Sequence, residues 1–359
     1  MKKIVVVFCL MVFLIPKSIY ALGGNAKAIT IMDMDSKRVL YSKNQNEERL
    51  IASITKIMTA IIAIESGKLD DVVTVDDSIL KAYGSGIYIE IGEQIPLIEL
   101  VYGLMLRSGN DAALMIAKYV SGSVEKFAEV MNEKAKKIGM KNTVFLNPHG
   151  LDEETKNYST SYDMALLSSY AMKNETYRKI VSTKSHTVKT DKKTYVWKNK
   201  NKLLFTYEYT TGGKTGFTDS ARRTLVTTAS KDNLNITVVT LNDPSDFTEH
   251  KEAYEYVFNN YTKYRVLNKN TFEVKNNKFD GNLYIKNDYY YTIKENEKDK
   301  FRIDVNLEKN KKNIKNNVAG IASIYFDNKI IHEEKIYLEK NKEEKKEGFF
   351  SKIFGWFKW

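Results

Sequence analysis

A long apolar pattern runs from Ile51 to Ile64, and its isoleucine, alanine and methionine leave no sustained polar face. That pattern predicts a helix hydrophobic nearly all round, which belongs in the centre of a domain. Gly67 stands at the cap position that would end it. Leu97 to Leu106 and Asp111 to Val120 read as two further helices flanking Ser108-Gly109-Asn110. Another starts near Ser123 and stops before Gly139, with Phe127, Val130, Met131 and Ile138 on its buried face. Ser161 to Lys173 is a helix by the same pattern, and Ala253 to Tyr261 is a closing one.

Period-two segments lie at both ends of this helical stretch. Ala28 to Met34 and Arg38 to Ser42 flank the turn Asp35-Ser36-Lys37 and predict a hairpin. Thr224 to Ala229 and Leu234 to Leu241 flank Lys231-Asp232-Asn233 and predict a second. Strands at both ends of residues 22–264, with helices between, argue for an α+β domain: an antiparallel sheet with helices packed on it. From about residue 268 the pattern shortens. Asn282 to Ile285, Phe301 to Val305 and Ala319 to Phe326 suggest a small all-β domain over 265–338.

The two ends read differently. Lys2 and Lys3 precede an apolar run, Ile4 to Ile15, which Pro16 breaks; Ala21 offers a small residue for cleavage. Residues 1–21 are therefore expected to be a signal peptide, because the run is short for a membrane span of roughly 20 residues. Residues 339–359 read as a linker rich in Lys and Glu followed by FFSKIFGWFKW. At 100° per residue Phe349, Phe350, Ile353, Phe354, Trp356 and Phe357 share one arc, a pattern suited to a helix lying in the membrane interface. The net charge of +11 fits attraction to anionic lipids and wall polymers. No nucleic-acid motif is present.

The only cysteine is Cys9, inside the signal. The mature chain would hold no thiol, which excludes disulfides, cysteine nucleophiles and Cys-ligated metals. There is no Gly-x-Ser-x-Gly elbow, no zinc-type His-Glu-x-x-His and no convincing phosphate loop, so neither metal nor cofactor is expected. What remains is serine chemistry with a lysine base.

Three short motifs stand in order: Ser53-Ile54-Thr55-Lys56, Ser108-Gly109-Asn110 and Lys214-Thr215-Gly216. Ser-x-x-Lys also occurs at Ser78 to Lys81 and Ser123 to Lys126, but Ser53 opens the apolar helix, so Lys56 is drawn one turn along into the core. Ser123 reads instead as an N-cap. A serine hydroxyl needs an adjacent base, and a lysine with its ordinary pKa of about 10.4 is protonated and useless. Burial, nearby positive charge from Lys214 and the helix N-terminus all lower that value. Lys214 and Thr215 can hold an anionic end of a substrate, and Gly216 lets a substrate backbone approach.

With their surroundings, these residues resemble the D-alanyl-D-alanine carboxypeptidases among the low-molecular-mass penicillin-binding proteins, serine peptidases of the S11 type. The resemblance rests on Ala52-Ser53-Ile54-Thr55-Lys56, Ser108-Gly109-Asn110-Asp111-Ala112-Ala113, Asn147-Pro148-His149-Gly150-Leu151, Tyr162-Asp163 and Lys214-Thr215-Gly216-Phe217-Thr218-Asp219. It implies a fold like the serine β-lactamases, with Ser53 as nucleophile and Lys56 as base. It further implies that Ser108 relays a proton, that Asn110 positions substrate and Lys56, and that Lys214 and Thr215 bind the terminal carboxylate. The N–H groups of Ser53 and Phe217 would form the oxyanion hole. The implied substrate is the peptidoglycan stem peptide ending in D-Ala-D-Ala, with penicillin as an inhibitor that acylates Ser53. The implied place is the outer face of the cytoplasmic membrane, with no cofactor.

Where many relatives carry an arginine ahead of a segment like Phe247 to Phe258, this chain has Asp246, and Arg222 or Arg223 is expected to compensate. His149 reads as a structural loop residue. The competing readings are a β-lactamase, for which Glu153 and Asn157 supply a Glu-x-x-x-Asn spacing, a DD-endopeptidase of the same fold, and a non-catalytic wall-binding protein.

Overall fold

The computed structural model describes residues 22–275, 277–309 and 314–339. The expected signal peptide and the terminal amphipathic segment lie outside the described residues. The chain forms two compact units, one up to Asn260 and one from Tyr261 on.

In the first unit five strands make one antiparallel sheet. Their order is Val39–Lys43, Ala28–Asp33, Leu234–Leu241, Arg222–Lys231 and Thr210–Thr218. The two expected hairpins are both there, and they meet because Ala28–Asp33 pairs with Leu234–Leu241. Asp232 and Asn233 both have positive φ at the Lys231/Leu234 turn, the conformation that a two-residue hairpin loop demands. Thr210–Thr218 is the edge strand and carries Lys214 to Phe217.

The apolar Ile51–Ile64 stretch splits in two. Ala52–Thr55 is a 3-10 turn and the α-helix proper is Lys56–Glu65. Ala52 sits at φ +49, a left-handed backbone that no α-helix start can contain, so the helix begins later than periodicity alone predicts. Every residue from Lys56 to Ile64 is buried, as an all-round apolar helix requires. Leu97–Leu106 is helical over the expected span, and the next helix runs from Asn110 to Ser121. The helix Val124–Ile138 starts at Ser123, whose hydroxyl accepts from the Lys126 N–H at 3.2 Å, so this Ser-x-x-Lys is an N-cap and Lys126 is exposed. The closing helix is longer than expected, Asp246–Asn260: its first turns carry Asp246 and Glu249 inward, where a hydrophobicity pattern has nothing to count.

The second unit is all β. Asn282–Ile285, Lys329–Glu339, Val318–Phe326 and Phe301–Leu307 form a four-stranded antiparallel sheet, and Thr262–Leu267 pairs with Tyr289–Ile293. Ile285, Ala322, Ile324, Ile336 and Leu338 fill its core. Glu339, expected to open the linker, is the last residue of a strand. Among the described residues no helix is long and apolar enough to cross a membrane.

Candidate active site

Ser53 lies in the 3-10 turn that leads into the central helix. Neither end of that turn is capped by a side chain, so the Ser53 hydroxyl is not an N-cap. Instead the Lys56 Nζ lies 2.9 Å from Ser53 Oγ. The same amine donates to Asn110 Oδ1 at 2.7 Å and to the His149 carbonyl at 2.6 Å. Lys56 is wholly buried. Burial, then the nearby Lys214, then Lys200 hold its pKa well below the ordinary lysine value.

Lys56 therefore has three partners, of which two are carbonyl oxygens that only accept. An ammonium would donate to all three. A neutral amine has two N–H groups for the carbonyls and one lone pair, which then faces the Ser53 hydroxyl. Asn110 is fixed in the orientation this needs, since its Nδ2 donates to the Tyr83 carbonyl.

The second motif reaches the same place by an unusual backbone. Ser108 sits at φ +65 in the break between two helices and is buried. Its hydroxyl accepts from Lys214 Nζ at 3.0 Å, and Lys214 also donates to the Thr215 carbonyl at 2.7 Å. Lys214 is itself buried; burial first and Lys200 second push its pKa down to about 7. Asp111, beside Asn110, accepts from the backbone N–H groups of Ile87 and Tyr88 and so pins the 85–88 loop beside the site.

Gly216 brings the edge strand against the serine turn. A Cβ there would lie 3.0 Å from the Ser53 nitrogen and 2.4 Å from Thr224 Oγ1, so only glycine allows this approach. Thr224 in turn donates to the Ile51 carbonyl at 2.9 Å, tying strand to turn. On the other side Gly150, at φ +87, presses the 147–151 loop onto the turn: a Cβ there would be 1.9 Å from the Ala52 carbonyl oxygen. Thr59 donates to the Pro148 carbonyl at 2.6 Å, and Asn147 Oδ1 accepts from the Gly150 N–H at 2.7 Å. This is how the His149 carbonyl is held on Lys56.

These pieces open into one cleft of about 310 Å³ lined by Ser53, Ser108, Thr215, Gly216 and Phe217, with Ser85, Lys200, Lys202, Arg223, Asp246 and Phe247. Ser53, Lys56, Ser108, Asn110, Lys214, Thr215, Gly216 and Phe217 thus converge. The His149 backbone contributes a contact that reading it as a structural loop residue did not contain; its ring, driven down to about pKa 3 by burial and Lys56, accepts from the Leu151 N–H. Lys200, Lys202 and Phe247 were not legible: the lysines sit in a chain rich in lysine, and no periodicity marks them. Arg223 lines the cleft, whereas Arg222 is exposed and does not.

The Glu-x-x-x-Asn spacing dissolves in three dimensions. Asn157 is buried and spent on structure, donating to Thr55 Oγ1 and the Asn147 carbonyl and accepting from the Leu146 N–H. Glu153 is exposed, faces the Tyr83 hydroxyl and does not line the cleft.

Comparison with known proteins shows the family. The sequence model described as D-alanyl-D-alanine carboxypeptidase matches residues 18–245, and that described as the C-terminal domain of penicillin-binding protein 5 matches 261–344. The D-alanyl-D-alanine carboxypeptidase DacF of Bacillus subtilis is 39% identical over 225 residues, 61% of this chain and 57% of that protein. DacA of Haemophilus influenzae is 32% identical over 260 residues, 67% of this chain and 64% of that protein. The match thus spans less than two thirds of either relative. Among solved structures, penicillin binding protein 5 from Haemophilus influenzae has a TM-score of 0.74 at 27% identity, covering 88% of this chain and 97% of that one. The D-alanyl-D-alanine carboxypeptidase from Mycobacterium tuberculosis has a TM-score of 0.63 at 27% identity, covering 66% and 92%.

Proposed function

Since this chain belongs to the D-alanyl-D-alanine carboxypeptidase family, we propose that it is a serine carboxypeptidase that removes the terminal D-alanine from peptidoglycan stem peptides. One observation carries the reading above the others. A wholly buried lysine amine, held by two carbonyls, lies 2.9 Å from an uncapped serine hydroxyl that opens to a cleft.

The steps follow from the residues in place. Lys56, neutral, takes the proton of Ser53 as Oγ attacks the carbonyl carbon of the penultimate D-alanine. The negative charge that develops on the carbonyl oxygen is met by the N–H groups of Ser53 and Phe217, a role supported by the close approach of Gly216 to the Ser53 nitrogen. The C–N bond then breaks. The leaving nitrogen receives the proton that Lys56 took from Ser53, relayed through the Ser108 hydroxyl that Lys214 holds in place, so that D-alanine departs and Lys56 is neutral again. Water, deprotonated by Lys56, hydrolyses the ester and restores Ser53. Thr215 and the Lys214 motif face the substrate's carboxylate end. A β-lactam acylates Ser53 by the same first step and is released slowly.

The test is direct. Incubation of the full chain with a pentapeptide ending in D-Ala-D-Ala should release free D-alanine, and penicillin should leave a Ser53 adduct lasting minutes or longer. Adduct turnover in milliseconds, with no D-alanine released, would make the protein a β-lactamase. Stable penicillin binding without peptide turnover would overturn the carboxypeptidase assignment.

We also propose that the enzyme works outside the cytoplasmic membrane, with residues 349–359 lying in the interface. The support is the one-sided arc of Phe349, Phe350, Ile353, Phe354, Trp356 and Phe357 after a charged stretch. Deleting residues 348–359 should move the protein from the membrane fraction to the soluble one; retention in the membrane fraction would refute the interfacial segment.

A further inference from the structure

The closing helix meets the sheet through two buried acids that the acylation steps do not use. Asp243 stands just past the strand Leu234–Leu241, and its N–H donates to the Arg223 carbonyl at 3.0 Å. One carboxyl oxygen, Oδ1, accepts from the Ser245 N–H at 2.9 Å; the other, Oδ2, is out of water and has no partner. Glu249, in the first turn of the helix, shows the same imbalance. Its Oε1 accepts from the Asn25 N–H at 2.8 Å, and its Oε2 is buried without a partner. Ser245 links the two: its carbonyl accepts from the Glu249 N–H at 3.1 Å, and its hydroxyl accepts from Asn25 Nδ2 at 3.3 Å.

Two neighbouring carboxylates, each with a bare oxygen out of water, cannot both stay charged without a large cost. One proton removes that cost. Placed on Asp243 Oδ2, it neutralises one acid and gives the other a donor. Burial raises the Asp243 pKa most; the Ser245 N–H opposes it, Glu249 and Asp246 add to it, and the value reaches about 7. The other charged groups around the pair are committed or remote. Asp246 accepts from Arg223 at 2.8 Å, Lys43 donates to the Gly23, Gly24 and Ala26 carbonyls, and Lys27 is exposed. His250, beside Glu249, bonds to Thr227 and Thr240 and stays neutral, since burial holds its pKa down to about 3.

We propose that Asp243 keeps a proton in the folded enzyme and shares it with Glu249, and that this proton fastens the first turn of the closing helix, which carries Asp246 and Phe247 into the cleft wall. Asp243 and Glu249 touch no substrate. They are positioning residues that act through Asp246 and Phe247. When the proton leaves as pH rises, two buried charges repel and that wall loosens. The kinetic consequence rests on the carboxypeptidase reading above; the effect on unfolding does not.

The experiment follows thermal unfolding of the full chain, and KM for a peptide ending in D-Ala-D-Ala, from about pH 5 to 8.5. Between about pH 4 and 7 the unfolded chain gives up this proton while the folded one keeps it, so the wild-type melting temperature should fall over that interval. Asp243→Asn carries a permanent N–H donor in place of the proton. It should melt about 5 °C above the wild type near pH 8 and lose the fall. Glu249→Gln should lose the fall as well, because its amide supplies a donor to an ionised Asp243. Between about pH 6 and 8.5, KM should rise about fivefold more in the wild type than in Asp243→Asn, with kcat changing alike in both. The charge on Lys214 changes equally in the two proteins, so their ratio isolates the pair. The same pH slope of melting in all three proteins, or Asp243→Asn melting below the wild type near pH 8, would overturn the shared proton. A KM that tracks pH alike in wild type and Asp243→Asn would overturn the positioning role, even with D-alanine release intact. No release of D-alanine by the wild type would remove the carboxypeptidase reading and the positioning role with it, while the melting slope still decides the proton.

Discussion

Lys56→Met should slow acylation of Ser53 by about 10³-fold or more while leaving the fold standing. Methionine fills the same buried channel but brings no lone pair to the Ser53 hydroxyl, 2.9 Å away. The Asn110 and His149 carbonyl oxygens lose a donor, at a cost of about 1–3 kcal/mol each, and against this the burial of an amine is relieved. The same residue sets the pH dependence. The base is the neutral amine, so acylation falls as the pH drops and Lys56 takes up a proton. Because burial, Lys214 and Lys200 depress its pKa, the rising limb of the profile should be complete well below the ordinary lysine range. Lys56→Arg, which cannot lose its proton, should be slow and flat across that range. The measurement is the second-order rate of penicillin acylation against pH, with melting temperatures as the control on folding. Acylation of Lys56→Met within tenfold of the wild type would exclude this lysine as the base.

Gly150→Ala should be among the most damaging single-methyl additions in the molecule. The new Cβ would sit 1.9 Å from the Ala52 carbonyl oxygen and 2.8 Å from Thr55 Oγ1, and the backbone there has φ +87. Overpacking and left-handed strain together cost about 4 kcal/mol, a large part of the roughly 5–15 kcal/mol that holds a domain together. For a unit of this size that corresponds to a fall of about 10 °C in melting temperature. Relief by backbone movement would displace Ala52, which precedes Ser53 and is itself held at φ +49, so acylation should fall even in the folded fraction. Thermal unfolding and active-site titration with penicillin read the two effects separately. A variant with unchanged melting temperature would show that the 147–151 loop does not bear on the serine turn as the contacts indicate.

Local pattern reached a definite depth in this chain. Period-two and period-3.6 spacings identified the two hairpins of the five-stranded sheet, the Leu97–Leu106 helix and the Val124–Ile138 helix, because each is specified by neighbours within a few residues. They did not find the Ser185–Lys189 and Thr194–Lys198 hairpin, although Tyr195 and Trp197 alternate inward there, nor the first turns of the Asp246–Asn260 helix, whose buried residues are acids. The spacing of Ser53 and Lys56 was legible, and with it the expectation of a lowered amine pKa; the groups that hold the amine were not. Its partners come from 54 and 93 residues away, and its desolvation depends on how helices, loop and sheet edge close around it. That Arg223 lines the cleft and Arg222 does not is visible only once the Arg222–Lys231 strand is paired with Thr210–Thr218. By itself the sequence determined which short segments become strands and helices and which residue types could carry acyl transfer, since those are fixed by local sterics and chemistry. Only the tertiary structure decided which charges lose their water and which side chains share one cleft, because desolvation and long-range convergence are properties of packing, not of neighbours along the chain.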